Sequence, residues 1–155
     1  MKILLAVDGS RSSEVAVNRV ARRPWPEGSK IKVISVAEAH LPFTPEVGLL
    51  PAQFYDELER AASSHAESIV AGAVEKLREH AGPQIRIIGE TMSGSPNEAI
   101  VREAESWGAE LIVIGSHGHR GSKRGLLGPV AQAVALQAKC SVEIVRAPHL
   151  DGIND

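Results

Sequence analysis

Leu111-Ile112-Val113-Ile114-Gly115-Ser116-His117-Gly118 decides how this chain is read. Four apolar residues in a row, ended by glycine, predict a strand buried on both faces, as a parallel sheet covered by helices requires. From Gly115 the pattern continues as two residues, Gly118, nine residues and Gly128, with a helix expected from Gly128 to about Lys139. Glycines at the carboxyl end of a strand let backbone N–H groups approach a ligand closely, because no Cβ intervenes. A helix starting at Gly128 turns its unpaired N–H groups and the positive end of its dipole toward that loop. Arg120, Lys123 and Arg124 place three cations between the glycines. Together these features predict a cradle for phosphate.

Upstream of this stretch, apolar runs alternate with helical periodicity. Ile3 to Val7 is the first expected strand, ending on Asp8-Gly9-Ser10, with Ser10 as cap of a helix from about Arg11 to Arg23. Its inward residues are expected to be Val15, Ala16, Val20 and Ala21, and Arg22 and Arg23 suit the dipole in its last turn. Pro24 to Gly28 turns the chain into a second strand, Lys30 to Ala37. Residues His40 to Ala52 read as a long irregular loop, because its large apolar groups are uncommon in a linker. Leu58, Ala62, His65, Ile69, Ala73 and Leu77 then mark an amphipathic helix over about Gln53 to His80. Ile85 to Thr91 is strand three. Ser95-Pro96-Asn97-Glu98 has the form of a capping box with proline at the first helical position, opening a helix that ends near Trp107-Gly108. Glu110 to Ile114 is strand four and Val142 to Val145 strand five. The expected organisation is one α/β domain over 1–147 with a C-terminal tail over 148–155, its parallel sheet covered by helices on both faces.

The 155 residues carry 43% hydrophobic and 23% charged side chains, ordinary for a globular domain of one core. A net charge of −2 gives no whole-molecule attraction to nucleic acid or to an anionic membrane, so neither partner is expected. No apolar run approaches the roughly 18 residues of a membrane span. The first five apolar residues end on Asp8, too short a run for a secretory signal. The one cysteine, Cys140, excludes an internal disulfide and fits a reducing cytoplasm.

Asp8-Gly9-Ser10 after strand one, Gly94-Ser95-Pro96 after strand three, and Gly115-Ser116-His117-Gly118 through Gly128 after strand four resemble the universal stress proteins. The similarity runs from Lys2 to about Arg146. It implies an open, Rossmann-like five-stranded parallel sheet in the order 3-2-1-4-5, and a homodimer in which C-terminal strands, here Val142 to Val145, pair. One branch of that family binds ATP. Carried over residue by residue, the resemblance puts Asp8 near ribose and phosphates or their Mg2+ ion, and gives the Val36 backbone to adenine. Ile114 and Gly115 line the ribose, Gly118 and Gly128 let the backbone wrap the phosphates, and Val130 donates from the helix start. Pro129 departs from the branch, which usually has Ser or Thr after the last glycine. The change removes a hydroxyl and a backbone N–H. Each lost hydrogen bond to a charged group costs about 1.5–3 kcal/mol, or about one to two tenfold steps in affinity. The resemblance thus implies a cytoplasmic sensor or regulator in stress response, binding ATP with Mg2+ and hydrolysing it slowly or not at all. The alternative is a nucleotide-free dimeric module that acts through another protein, and Pro129 is its best argument.

Several residues have two readings. Asp8 is a ligand-contacting acid or a cap on the first helix. Arg120, Lys123 and Arg124 neutralise phosphates or are simply solvated. His117 and His119 lack a third ligand at a recognisable spacing, so a hydrogen-bonding role for His117 in fixing the loop is expected rather than a metal site. Cys140 is expected as a small buried residue and Trp25 as a plug between prolines. A catalyst needs a base or nucleophile beside the phosphates. Beyond Asp8 no acid or lysine is fixed by motif at that edge. A phospho-receiver would need an acceptor aspartate after strand three, which ends instead at Thr91-Met92-Ser93.

Overall fold

The structure, a computed structural model, describes residues 1–39, 48–118 and 126–148. The expected alternation is present. The strands are β1 (Lys2–Ala6), β2 (Lys30–Ala37), β3 (Arg86–Ser93), β4 (Leu111–Gly115) and β5 (Ser141–Val145). The helices between them are α1 (Arg11–Arg22), α2 (Ala52–His80), α3 (Pro96–Trp107) and α4 (Pro129–Gln137). All strand pairs are parallel and the sheet order is β3-β2-β1-β4-β5, as expected.

Strand alternation divides the core in two. Ile3, Leu5 and Val113 pack against Ala16, Val17 and Val20 of α1 and Val70, Val74 and Leu77 of α2. Leu4, Ala6, Ile112 and Ile114 face Ile100 and Ala104 of α3 and Ala131 and Val134 of α4. Ile3, Leu4 and Leu5 are wholly buried, and each contributes about 1.5–3 kcal/mol by leaving water. Among the described residues no helix is long and apolar enough to cross a membrane.

The differences from expectation have local causes. In α1 Val17 is buried and Val15 only half-buried at the margin. In α2 the buried residues are Ala66, Val70, Ala73, Val74 and Leu77, while His65 is exposed and Leu58 and Ala62 are half-buried. A helix of 29 residues is about 43 Å long, whereas an eight-residue strand such as β2 spans about 26 Å. The first half of α2 therefore overhangs the carboxyl edge of the sheet. The capping box at α3 does not form: the Ser95 hydroxyl makes no cap bond and donates to Asn97 Oδ1 at 2.9 Å. Pro96 still opens the helix, and Gly108 ends it in the left-handed region at φ 73°. Helix α4 begins one residue later than expected, with Gly128 as its cap, and ends at Gln137.

Sequence periodicity also gave no sign of Lys32. It lies in the middle of β2, 9% exposed, with Nζ 2.6 Å from Glu103 Oε1 and 3.2 Å from Glu90 Oε2. The Trp107 ring lies 5.1 Å from the ammonium, measured to its centroid. Burial alone would lower the Lys32 pKa, but the hydrogen bonds to Glu103 and Glu90 outweigh it and hold the group above its ordinary value. Trp25 packs against the α1/α2 core and donates Nε1–H to Val20 O at 2.9 Å, a plug as expected. Burial pushes the Cys140 thiol up, against a reactive thiolate.

Candidate functional site

The chain runs β1, β2, β3 outward to one side of β1 and then returns to lay β4 on the other side. The order therefore reverses between β1 and β4, where open parallel sheets place their ligands beyond the carboxyl ends. A cleft of about 370 Å³ occupies that position. Asp8, Val36, Ile114, Gly115, Gly118, Gly128, Pro129 and Val130 all line it. The eight residues singled out in the sequence are thus brought to one place.

At one end of the cleft β2 outruns its neighbour. β1 pairs with β2 only as far as Ala6 opposite Ile34, while β2 continues to Ala37 along β3. Ile34 O accepts Val7 N–H at 2.9 Å, so the Ile34 carbonyl points toward β1. Backbone polar groups alternate sides along a strand. Val36 therefore turns its N–H and C=O toward the same side, past the end of the β1 pairing and into the cleft. A donor and an acceptor at this spacing suit the edge of a planar heterocycle. Ala62, His65, Ala66 and Ile69 of α2 also line the cleft.

At the other end, α1 is locked to the glycine loop. Ser10 caps α1, accepting Ser13 N–H at 3.3 Å, and Asp8 Oδ1 accepts Ser10 N–H at 2.9 Å. Ser10 Oγ donates to His117 O at 3.0 Å and Ser12 Oγ donates to the same oxygen at 2.6 Å. A Cβ on Gly115 would stand 2.5 Å from Ser12 Oγ and 2.8 Å from Ser13 N, so this approach needs glycine. On Gly128 a Cβ would meet Ser116 O at 3.1 Å, and on Gly118 it would meet Asp8 Oδ2 at 2.9 Å. Asp8 braces the α1 start through Oδ1, and its Oδ2 faces Gly118. The helix cap itself is Ser10.

Ser116 and His117 are tied to the residues just before α4. Gly128 N–H donates to Ser116 O at 2.8 Å. The His117 ring reaches Leu126 O through Nε2 and Ser116 Oγ through Nδ1, the latter at 2.8 Å. A carbonyl only accepts, so Nε2 carries the proton, and in neutral imidazole Nδ1 then accepts from the Ser116 hydroxyl. His117 thus links Ser116 to Leu126, the hydrogen-bonding role expected of it. His119, Arg120, Lys123 and Arg124 lie outside the described residues, as do residues 40–47 and 149–155. Among the described residues no cluster of three metal-ligating side chains occurs.

The sequence pattern of the Universal stress protein family matches residues 1–146. This chain belongs to the universal stress protein family. Universal stress protein YxiE of Bacillus subtilis is 31% identical over 148 residues, covering 94% of this chain and 98% of that protein. Among solved structures, MJ0577 superposes with a TM-score of 0.80 at 24% identity, covering 95% of this chain and 96% of that one. A universal stress protein in complex with cAMP gives 0.65 at 23% identity, covering 94% and 96%. A universal stress protein family member from Arabidopsis thaliana with AMP bound gives 0.65 at 18%, covering 96% and 92%. At these identities the structural likenesses establish the fold.

Several residues of this universal stress protein's cleft were missed in its sequence. Ser12, Ser13, Glu38 and His65 line or brace it. The serines carried a signal, since three hydroxyls at a helix start after a strand are more than one cap needs. His65 carried none, because its spacing matched a core stripe.

Proposed function

We propose that this universal stress protein binds an adenine nucleotide, ATP with Mg2+ included, and that occupancy of the cleft regulates its behaviour in stress rather than driving catalysis. The observation that carries the reading is the exposed backbone edge at Val36 facing the same cleft as the Gly115–Gly128 loop. One end suits a base and the other an anion. Complexes of two family members with cAMP and AMP support the ligand class. Mg2+ binds through one or two carboxylates together with phosphate oxygens. Asp8 is the acid at the loop end able to supply such a ligand, and bound Mg2+ would there neutralise phosphate charge. Asp8 Oδ1 accepts Ser10 N–H at 2.9 Å, and a carboxylate held in this way argues against Asp8 as a mobile general base. Slow or absent hydrolysis follows. The cytoplasm, where ATP is abundant, is the compartment this reading requires.

Homodimerisation through β5 is part of the proposal. β5 pairs with β4 on one side, and an open edge of parallel strand is a template for another chain. Val142 and Ile144 are half-buried beside it and Leu136 of α4 is 79% exposed.

Titration calorimetry with adenosine, AMP and Mg2+-ATP tests the nucleotide reading, with phosphate release assayed alongside. Saturable binding at one site per chain is expected. Failure of all three to bind would leave the nucleotide-free interaction module in its place. Sedimentation as a monomer at all accessible concentrations would remove the dimer.

A further inference from the structure

We infer that β5 pairs with β5 of a second copy in one antiparallel register, centred on Glu143, and that Arg23 permits this self-pairing by neutralising that acid. This rests on the homodimer reading above and specifies its register and the residue that gates it. Three observations carry it.

The first is which backbone groups β5 leaves at its edge. Among the described residues β4 is the one strand beside it. Val145 O accepts Ser116 N–H at 2.8 Å, so Val145 turns its polar groups toward β4. By alternation Ser141 and Glu143 do the same, while Val142 and Ile144 turn N–H and C=O outward. The outer side of the strand therefore offers a donor and an acceptor at each of those two residues.

The second is which way the side chains face. Val142 and Ile144 pack on the α3/α4 core, whereas Glu143 lies on the α1 side with Arg19 and Arg23. A two-fold axis perpendicular to the sheet joins two copies edge to edge and keeps each face continuous. Opposite residues then share a face, so Glu143 can meet Ser141, Glu143 or Val145 of the second copy. With Glu143 opposite Glu143, Val142 pairs with Ile144 of the second copy and Ile144 with its Val142. Each of the other registers sets one outward residue against chain beyond the strand. In the favoured register the two Glu143 residues form a non-hydrogen-bonded pair, with Cα atoms about 4.5 Å apart.

The third is charge. Like charges directly opposite destabilise a sheet, and an inward-pointing acid on an edge strand is a device against pairing. Here the acid is already matched. Arg23 Nη2 donates to both Glu143 carboxylate oxygens, at 2.7 and 2.8 Å, and Arg19 Nη1 lies 3.7 Å from Oε1. The Arg23 guanidinium stands 4.8 Å from the Trp25 ring centroid, and Trp25 is held by its bond to Val20 O. Arg23 and Glu143 side chains are 31% and 23% exposed, so water screens the paired acids only in part. A second copy brings its own matched acid to the same place, the self-complementarity that an isologous interface requires.

Sedimentation velocity on the full chain over a concentration series, with thermal melting as the control on folding, is the test. Arg23→Ala should weaken the wild-type dimer at least about tenfold. Adding Glu143→Gln to Arg23→Ala should bring the dimer back to within about threefold of Glu143→Gln alone, a recovery that a merely structural role for Arg23 does not give. The register is read separately with cysteines in a Cys140→Ser background. Glu143→Cys is expected to form an intermolecular disulfide under mild oxidation, because its Cα separation suits one, and to do so faster than Val142→Cys or Ile144→Cys. A faster disulfide at Val142→Cys or Ile144→Cys overturns the register and leaves the dimer standing. A dimer that Arg23→Ala leaves at full strength, in a protein that melts as wild type does, overturns the gating role alone. A wild-type chain that stays monomeric at every concentration and forms no disulfide overturns both the dimer and this inference.

Discussion

Helices α1 and α4 both begin at the mouth of the cleft, and they begin differently. α1 opens on Ser10, whose hydroxyl caps Ser13 N–H, and its first turn is bound through Ser10 and Ser12 to the His117 carbonyl. α4 opens on Gly128-Pro129 with no side-chain cap. Both termini carry the same partial positive charge. At α1 that charge is spent within the protein, holding β4 and its loop in place. At α4 no described side chain caps it. An anion site therefore depends less on a helix pointing at a cavity than on whether the protein has already consumed the donors.

That contrast can be broken at four places. Gly115→Val should be the most damaging, because its Cβ would fall 2.8 Å from the Ser13 backbone nitrogen. We expect a loss of about 3 kcal/mol and a fall in Tm of roughly 6–12 °C, measured by calorimetry. Gly118→Val strikes the α4 side, where the described neighbour is Asp8 Oδ2. Nucleotide affinity should fall by about a hundredfold (about 2.7 kcal/mol) while stability changes by less than about 1 kcal/mol. A protein that instead lost stability and kept affinity would reverse the roles given to the two helix starts.

Glu103→Gln is the control remote from both. Lys32 and Glu103 side chains are 11% and 13% exposed, so weakening the pair should cost about 1–3 kcal/mol with nucleotide affinity unchanged. The folded pKa of Lys32 is raised, so its contribution is full below the ordinary lysine value of 10.5 and fades as pH rises through the higher folded value. The stability gap between this variant and wild type should therefore persist at neutral pH and close only in strong alkali. Ser10→Ala is the mildest change, about 1 kcal/mol for the lost cap. Urea unfolding should resolve it, and an equal cost for Pro129→Ala would show that the two starts are not different after all.

Much of the site was legible because it is written locally. Gly115, Gly118 and Gly128 follow one strand, and Asp8 ends another. Their roles come from backbone geometry that neighbouring residues enforce. What was not legible depends on partners far along the chain. Ser12 meets His117 across 105 residues and Lys32 meets Glu103 across 71, and no periodicity encodes such distances. His65 looked like core because three- and four-residue spacing reports which face of a helix is apolar, not where the sheet beneath it stops. The Ser95 capping box failed because Asn97 offered the hydroxyl a competing acceptor two residues away.

By itself the sequence determined the alternation of strands and helices, the burial of the sheet on both faces, and the glycine spacing that keeps one loop close to main chain. Those follow from side-chain size and polarity read over a few residues. Only the tertiary structure decided which backbone groups were still open to a ligand: that Val36 outruns β1, that Gly128 has given its N–H to Ser116, and that the hydroxyls of Ser10 and Ser12 are taken. The reason is physical. A donor's availability is a property of its partners, and partners are assigned when the chain closes on itself.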